Sequence, residues 1–147
     1  MLLLDVFLRK TAALEKLSLV QGLYSSMTDC PPGRQESTYN VLVDQELKLI
    51  ELIKNCNVII GSAEASIEVT VDKHRLKLKD LREWFLAAEQ NIIAIDRLVK
   101  AGIKVINLSD ILAKRETYLS SYIKYKSLYD ETVATTDTDN IGKPEEE

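Results

Sequence analysis

Four of the six tyrosines in this chain, Tyr118, Tyr122, Tyr125 and Tyr129, recur at spacings of four, three and four residues. On a helix that spacing is a heptad seam, so the four rings share one face, which Ile111 extends upstream. Lys114, Arg115, Lys124 and Lys126 flank the same segment. Rings so arranged can stack on a nucleobase or another planar ligand while Arg115, Lys124 or Lys126 meets its phosphate. The same seam can instead pack against another helix, within the chain or across a homo-oligomer interface, where tyrosine is favoured for its amphipathic ring. Each buried hydroxyl needs a hydrogen-bond partner, so a tyrosine seam suits a wet or partner-covered surface better than a dry core.

A second group is the densest basic run of the chain, Lys73, His74, Arg75, Lys77, Lys79 and Arg82, interrupted by Asp80. It reads either as an anion site for phosphate groups or as the solvent face of an amphipathic ribbon. The candidate ligand-binding set is therefore Tyr118, Tyr122, Tyr125, Tyr129, Arg75, Lys77, Arg82, Arg115 and Lys126. His74, the single histidine, falls at an expected turn tip with no nucleophile near it in sequence, which is poor ground for a general base. No glycine-rich phosphate loop, nucleophile elbow or metal-ligand spacing occurs. Glu46, Glu51, Asp96 and Glu116 fall on expected helices, but no spacing singles them out as a di-metal set. Cys30 and Cys56 make no disulfide framework and read as buried or idle thiols in a reducing compartment. No catalytic residue, metal site or cofactor is expected.

The chain that carries these residues has 147 residues, 46% of them hydrophobic and 29% charged, with five glycines and three prolines. That composition is ordinary for one folded domain and excludes disorder over most of the length. Asp5 and Arg9 interrupt the apolar opening almost at once, and no apolar run approaches the length of a membrane span. A cytoplasmic protein without a membrane partner is the expectation. The segment 137–147 holds five acids against Lys143, which accounts for the whole net charge of −4 and leaves 18 basic and 18 acidic residues before it. A neutral body offers no general electrostatic footprint for duplex nucleic acid. The expected organisation is one helical domain over 1–136 and an acidic, solvated tail over 137–147.

Periodicity predicts a mainly α protein, a bundle of about four helices with antiparallel-hairpin and coiled-coil character. The first helix runs from about Leu3 to Tyr24, with Leu3, Phe7, Leu14, Leu17 and Tyr24 on one stripe and Val6, Ala13 and Val20 beside it. A loop holding Pro31, Pro32 and Gly33 precedes a second helix, from Ser37 or Thr38 to about Asn57, that folds back on the first. Past Gly61 the period becomes two. Ile67–Val71 and Arg75–Lys79 alternate around Asp72-Lys73-His74, which predicts a two-stranded ribbon between the second and third helices. Asp80 with Glu83 resembles a capping box that opens the third helix, and Gly102 supplies its left-handed stop. Residues 103–106 form a short extended connection, and Asn107 or Ser109 caps a last helix that reaches about Val133.

The leucine-rich opening helix, the proline-containing linker and the helix ending Ile53-Lys54-Asn55-Cys56-Asn57 give the chain a recognisable order. A ribbon then leads through Leu78-Lys79-Asp80-Leu81, and Asn107-Leu108-Ser109-Asp110 opens the final helix. In this order the chain resembles the septicolysin-like family of small helical bacterial and phage proteins over about residues 1–133. It departs from that pattern in having Asp72-Lys73-His74 where a glycine-bearing turn is expected, and in lacking a tryptophan near the end of the last helix. The resemblance implies a helical fold and self-association. It does not imply an activity, because no diagnostic catalytic motif accompanies it. The leading expectation is a non-enzymatic homo-oligomer that sequesters a small anionic, nucleotide-like ligand at subunit interfaces, in the manner of phage anti-defence sponges. The alternatives are a scaffold or adaptor acting through helix–helix contacts, and an enzyme with an unrecognised site.

Overall fold

The structure, a computed structural model, describes residues 1–27, 31–102 and 107–140. Its elements are α1 (Leu3–Ser26), α2 (Pro32–Ser66), β1 (Glu68–Val71), β2 (His74–Lys77), α3 (Leu78–Lys100), α4 (Leu108–Thr135) and a short 3₁₀ turn over Thr138–Asn140. The expected mainly α architecture, with four helices and a ribbon between the second and third, is what the chain adopts. It divides into two compact units, Met1–Ala63 with Thr136–Glu147, and Glu64–Thr135.

The first unit is an antiparallel pair of helices. Along α1 the buried and half-buried residues, Phe7 apart, are Leu3, Val6, Lys10, Ala13, Leu17, Val20 and Tyr24, followed by Met27. They alternate at three and four residues, a continuous coiled-coil seam. The buried members are Leu3, which the sequence reading placed on the main stripe, Val6, Ala13 and Val20, which it placed beside that stripe, and Met27, which it placed in the following loop; Leu14 faces outward. On α2 the seam continues as Leu42, Glu46, Leu49, Ile53, Cys56, Ile60 and Ala63. Val20, Met27 and Leu42 form a core cluster with Tyr24 and Leu49 packed on it. The Tyr24 hydroxyl donates to Glu46 Oε2, and its ring stacks on Tyr39 at 6.1 Å.

Helix α2 is longer at both ends than the periodicity predicts. Pro32 opens it, because proline in the first turn needs no hydrogen-bond partner and already has a helical φ. Gly61 lies inside the helix rather than ending it. The seam explains why: Ile60 and Ala63 continue the buried spacing, and their burial outweighs the roughly 1 kcal/mol cost of a helical glycine.

At the other end of the chain, Leu2 and Asp137 form an isolated antiparallel bridge. The Leu3 N–H donates to the Thr136 carbonyl at 2.8 Å, and both the N–H and the hydroxyl of Thr138 donate to the Met1 carbonyl at 2.8 Å. Asp137 and Thr138, expected to begin the acidic tail, are thus held to Met1 and Leu2 just before α1. The rest of that tail, 141–147, lies outside the described residues, as do Cys30 and the extended connection expected at 103–106.

The second unit begins with the last turn of α2 and the ribbon. Val71 pairs with His74, so the turn is the two residues Asp72-Lys73, and His74 belongs to β2 rather than to the turn tip. Asp72 and Lys73 both have positive φ, 49° and 70°, as a tight hairpin that matches strand twist requires. Val69 and Leu76 share one face of the ribbon, and Glu68, Thr70, Arg75 and Lys77 the other.

Helix α3 follows β2 without a linker. The Leu78 N–H donates to the Ile67 carbonyl at 2.9 Å, and Leu78 is fully buried. The helix therefore starts two residues before Asp80. Asp80 is its third residue rather than its cap, and its carboxylate accepts the Lys77 N–H at 3.4 Å. Leu78, Leu81, Phe85 and Ala88 form the buried face of α3. Gly102, at φ +67°, turns the chain in the left-handed conformation expected of it.

Candidate functional site

Helix α4 runs antiparallel to α3, and its seam is Ile111, Arg115, Tyr118, Tyr122, Tyr125, Tyr129 and Thr132, each half-buried or buried. The tyrosine stripe is therefore the packing edge of α4. Tyr125 meets the Trp84 ring edge-on at 5.2 Å. Phe85 lies between two rings, Tyr122 at 6.2 Å and Tyr129 at 5.3 Å, both in T-shaped geometry. Such aromatic pairs are each worth about 0.5–1.5 kcal/mol beyond their buried area. Tyr118 is half-buried one turn farther toward the start of α4.

The innermost ring shows how a tyrosine seam satisfies its hydroxyls. Tyr129 is 7% exposed, and its hydroxyl donates to Glu64 Oε1 at 2.9 Å. Glu64, 5% exposed at the end of α2, is also held by Arg82 Nη1 at 3.2 Å from its other oxygen. Burial and the facing carboxylate push the Tyr129 hydroxyl well above the ordinary phenol range. The Arg82 Nε is buried without a hydrogen-bond partner among the described residues, so the guanidinium serves Glu64 through one edge.

The cations of the candidate set are mostly engaged by carboxylates of the same unit. Arg115 makes a two-pronged contact with Asp96, Nε at 2.8 Å and Nη2 at 3.3 Å. That contact lowers the Asp96 carboxyl and raises the Arg115 guanidinium. Lys126 holds Asp130 at 3.0 Å, one turn on, and lies 5.6 Å above the Phe85 ring. Lys124 reaches Asp72 in the hairpin turn at 2.7 Å and lies over Tyr125 at 5.8 Å. On the outer face of the ribbon, Arg75 contacts Glu68 at 3.5 Å, and Lys77 stands directly across from that same Glu68. The basic run is thus spread over the hairpin turn, both ribbon faces and the start of α3, with Arg82 turned to Glu64.

Of the nine candidate residues, the structure gathers Tyr122, Tyr125, Tyr129, Lys126 and Arg82 around Trp84, Phe85 and Glu64, while Arg75 and Lys77 stay on the outer ribbon face. Sequence reasoning missed Glu64 and Trp84. Trp84 was visible as the lone tryptophan one residue before the buried Phe85. Glu64 had no signal of its own. Among the described residues, no group of three or more His, Cys, Asp or Glu side chains could hold a metal ion, and no helix is long and apolar enough to cross a membrane. No protein-family model, curated protein or solved structure matches the chain.

Proposed function

We propose that the chain is a non-enzymatic helical binding protein that works as a self-associating assembly. The observation that carries this reading is an apolar stripe on the outside of α2. Val43, Leu47, Ile50 and Val58 lie off the α1–α2 seam, and Leu47 and Val58 are each 61% exposed. The first three recur at four and three residues, the spacing of a second coiled-coil seam. A monomer seldom leaves so continuous a row of aliphatic side chains in water. A second copy of the same hairpin covers such a row by helix–helix packing, with the Lys54 stem lying along it.

This supports the adaptor form of the reading more directly than the ligand-sequestering form. A nucleotide-like anion at the tyrosine face would have to displace the Asp96–Arg115 and Asp130–Lys126 pairs. It would also have to enter between rings already packed on Trp84 and Phe85. The sequestering form stays within the same proposal through assembly: a neighbouring copy that adds cations of its own beside Tyr118 and Tyr122 completes an anion site at their rings. A cytoplasmic setting accords with the free, buried Cys56 thiol.

Native mass spectrometry of the gently purified chain tests the proposal. We expect a closed oligomer that becomes monomeric on Leu47→Glu with Ile50→Glu, with helical circular dichroism unchanged. A wild-type monomer at tens of micromolar overturns it. A nucleotide-sized mass released on denaturation selects the sequestering form, and an empty oligomer the adaptor form.

A further inference from the structure

Three concavities follow one another along α1, the second and third of them where it adjoins α2. The first, about 390 Å³, is lined by Met1, Asp5, Leu8, Arg9 and Ala12. The second, about 250 Å³, shares Arg9 and Ala12 and adds Ala13, Lys16, Leu49 and Leu52. The third, about 390 Å³, shares Lys16 and Leu49 and reaches Leu19, Val20, Gln45 and Lys48. Shared walls make them one trough from Met1 to Val20, roughly 29 Å long at the helical rise of about 1.5 Å per residue. Ala12 and Ala13 line its middle, where small side chains let another backbone approach. Leu8 and Leu19, exposed to 58% and 70%, stand along it.

We propose that this trough docks an amphipathic helix of a partner protein whose flank carries acidic residues. Length and chemistry both point there. Five turns of trough with concavities one to two turns apart match the row of apolar side chains that such a helix presents. The rim is basic: Arg9 and Lys16 have no ion pair among the described residues, and Lys48 has an exposed one with Asp44 at 2.9 Å that exchanges readily. Asp5, at the Met1 end, is the one acid on the walls. A second copy seated here by a two-fold axis would set Arg9, Lys16 and Lys48 against the same cations, so charge disfavours self-pairing through this face. The trough is also distinct from the stripe proposed for self-association. Leu52 lies on the trough and Leu47 on the stripe, five residues and about 140° apart around α2.

Fluorescence anisotropy with the full chain and two labelled 21-residue helical peptides tests the proposal. Both carry leucine at heptad positions; one has glutamates on its flanks and the other lysines. The glutamate peptide is expected to bind saturably, and the lysine peptide at least tenfold more weakly. Arg9→Glu with Lys16→Glu should cost the glutamate peptide at least tenfold in affinity without changing helical circular dichroism or oligomer mass. Lys16→Gln, milder at an exposed site, should cost it about threefold. Leu47→Glu should leave peptide affinity unchanged, which separates this inference from the self-association reading. Equal binding of both peptides, or no binding of either, overturns it. So does a change in oligomer mass on charge reversal, which would show a second copy in the trough.

Discussion

Tyr129 on α4 donates its hydroxyl hydrogen at 2.9 Å to Glu64 at the end of α2, a carboxylate 65 residues earlier in the chain. Arg82 holds the other oxygen of that carboxylate, so a buried charge is answered from α3 and α4 together. Tyr129 and Arg82, expected from sequence as parts of a ligand site, meet on this one carboxylate.

Removing either partner should therefore be costly to stability. Arg82→Met leaves Glu64 buried without its cation, at an expected cost of about 3 kcal/mol. Tyr129→Phe removes one hydrogen bond and should cost about 1–3 kcal/mol. Urea denaturation followed by circular dichroism measures both. Wild-type stability in Arg82→Met would show that the Arg82–Glu64 contact contributes little.

High pH should reveal two tyrosines that ionise late. The Glu46 carboxylate beside Tyr24 raises that phenol from its ordinary 10.0 to about 12, and Tyr129 is raised further by burial. A folded-state value above the unfolded one stabilises fully below the unfolded value and is lost as pH climbs through the folded one. These two contributions should thus persist at pH 10 and fade above it. Tyrosinate absorbance at about pH 11 should hardly change on Tyr24→Phe, since Tyr24 is still mostly protonated there. A drop of one full tyrosine would show an ordinary phenol at that position.

The Asp96–Arg115 contact should act at the acid end. Asp96 is held below its ordinary 3.8, first by the hydrogen bonds from Arg115. The stabilisation is present above 3.8 and is lost as pH falls through the lowered value. Carboxyl NMR titration should place Asp96 below 3.8 in the wild type and return it toward 3.8 in Arg115→Gln. An unchanged Asp96 in that variant would mean that the contact does not form in solution.

The hairpin turn should tolerate improvement. Lys73, at φ 70°, occupies a conformation that costs an ordinary residue about 1–2 kcal/mol. Lys73→Gly is expected to raise stability by about 1 kcal/mol in thermal unfolding. Destabilisation would show that the Lys73 side chain contributes more than its backbone strain.

Much of this fold was legible because periodicity follows from burial. The 4-3-4 tyrosine spacing marked the α4 seam, and the alternation around Asp72 marked the ribbon. The end of α2, expected at about Asn57, was placed too early because the period was read without Ile60 and Ala63, whose packing keeps the helix going to Ser66. Asp80 misled for a related reason: a good capping residue is overridden where Leu78 must be buried as soon as β2 ends. Glu64 was illegible in principle. A carboxylate off the seam looks solvated until Arg82 and Tyr129 are known to close on it, and nothing in its own neighbourhood records them. For the candidate site, the residue types were readable but much of their engagement was not: Asp130 lies one helical turn from Lys126, whereas Asp72 and Asp96 meet Lys124 and Arg115 only through the fold.

The Tyr24–Glu46 hydrogen bond joins a hydroxyl and a carboxylate on an otherwise largely aliphatic α1–α2 seam. Sliding α1 by one heptad would keep almost every aliphatic contact, since both seams repeat every seven residues. In one direction it would bring Glu46 against Leu17, and in the other it would set the Tyr24 hydroxyl against Ile53. That mismatch acts as a ratchet pawl between two otherwise smooth racks. It selects one alignment out of several that grease alone would accept, and so decides which leucines of the hairpin are left for another molecule to find.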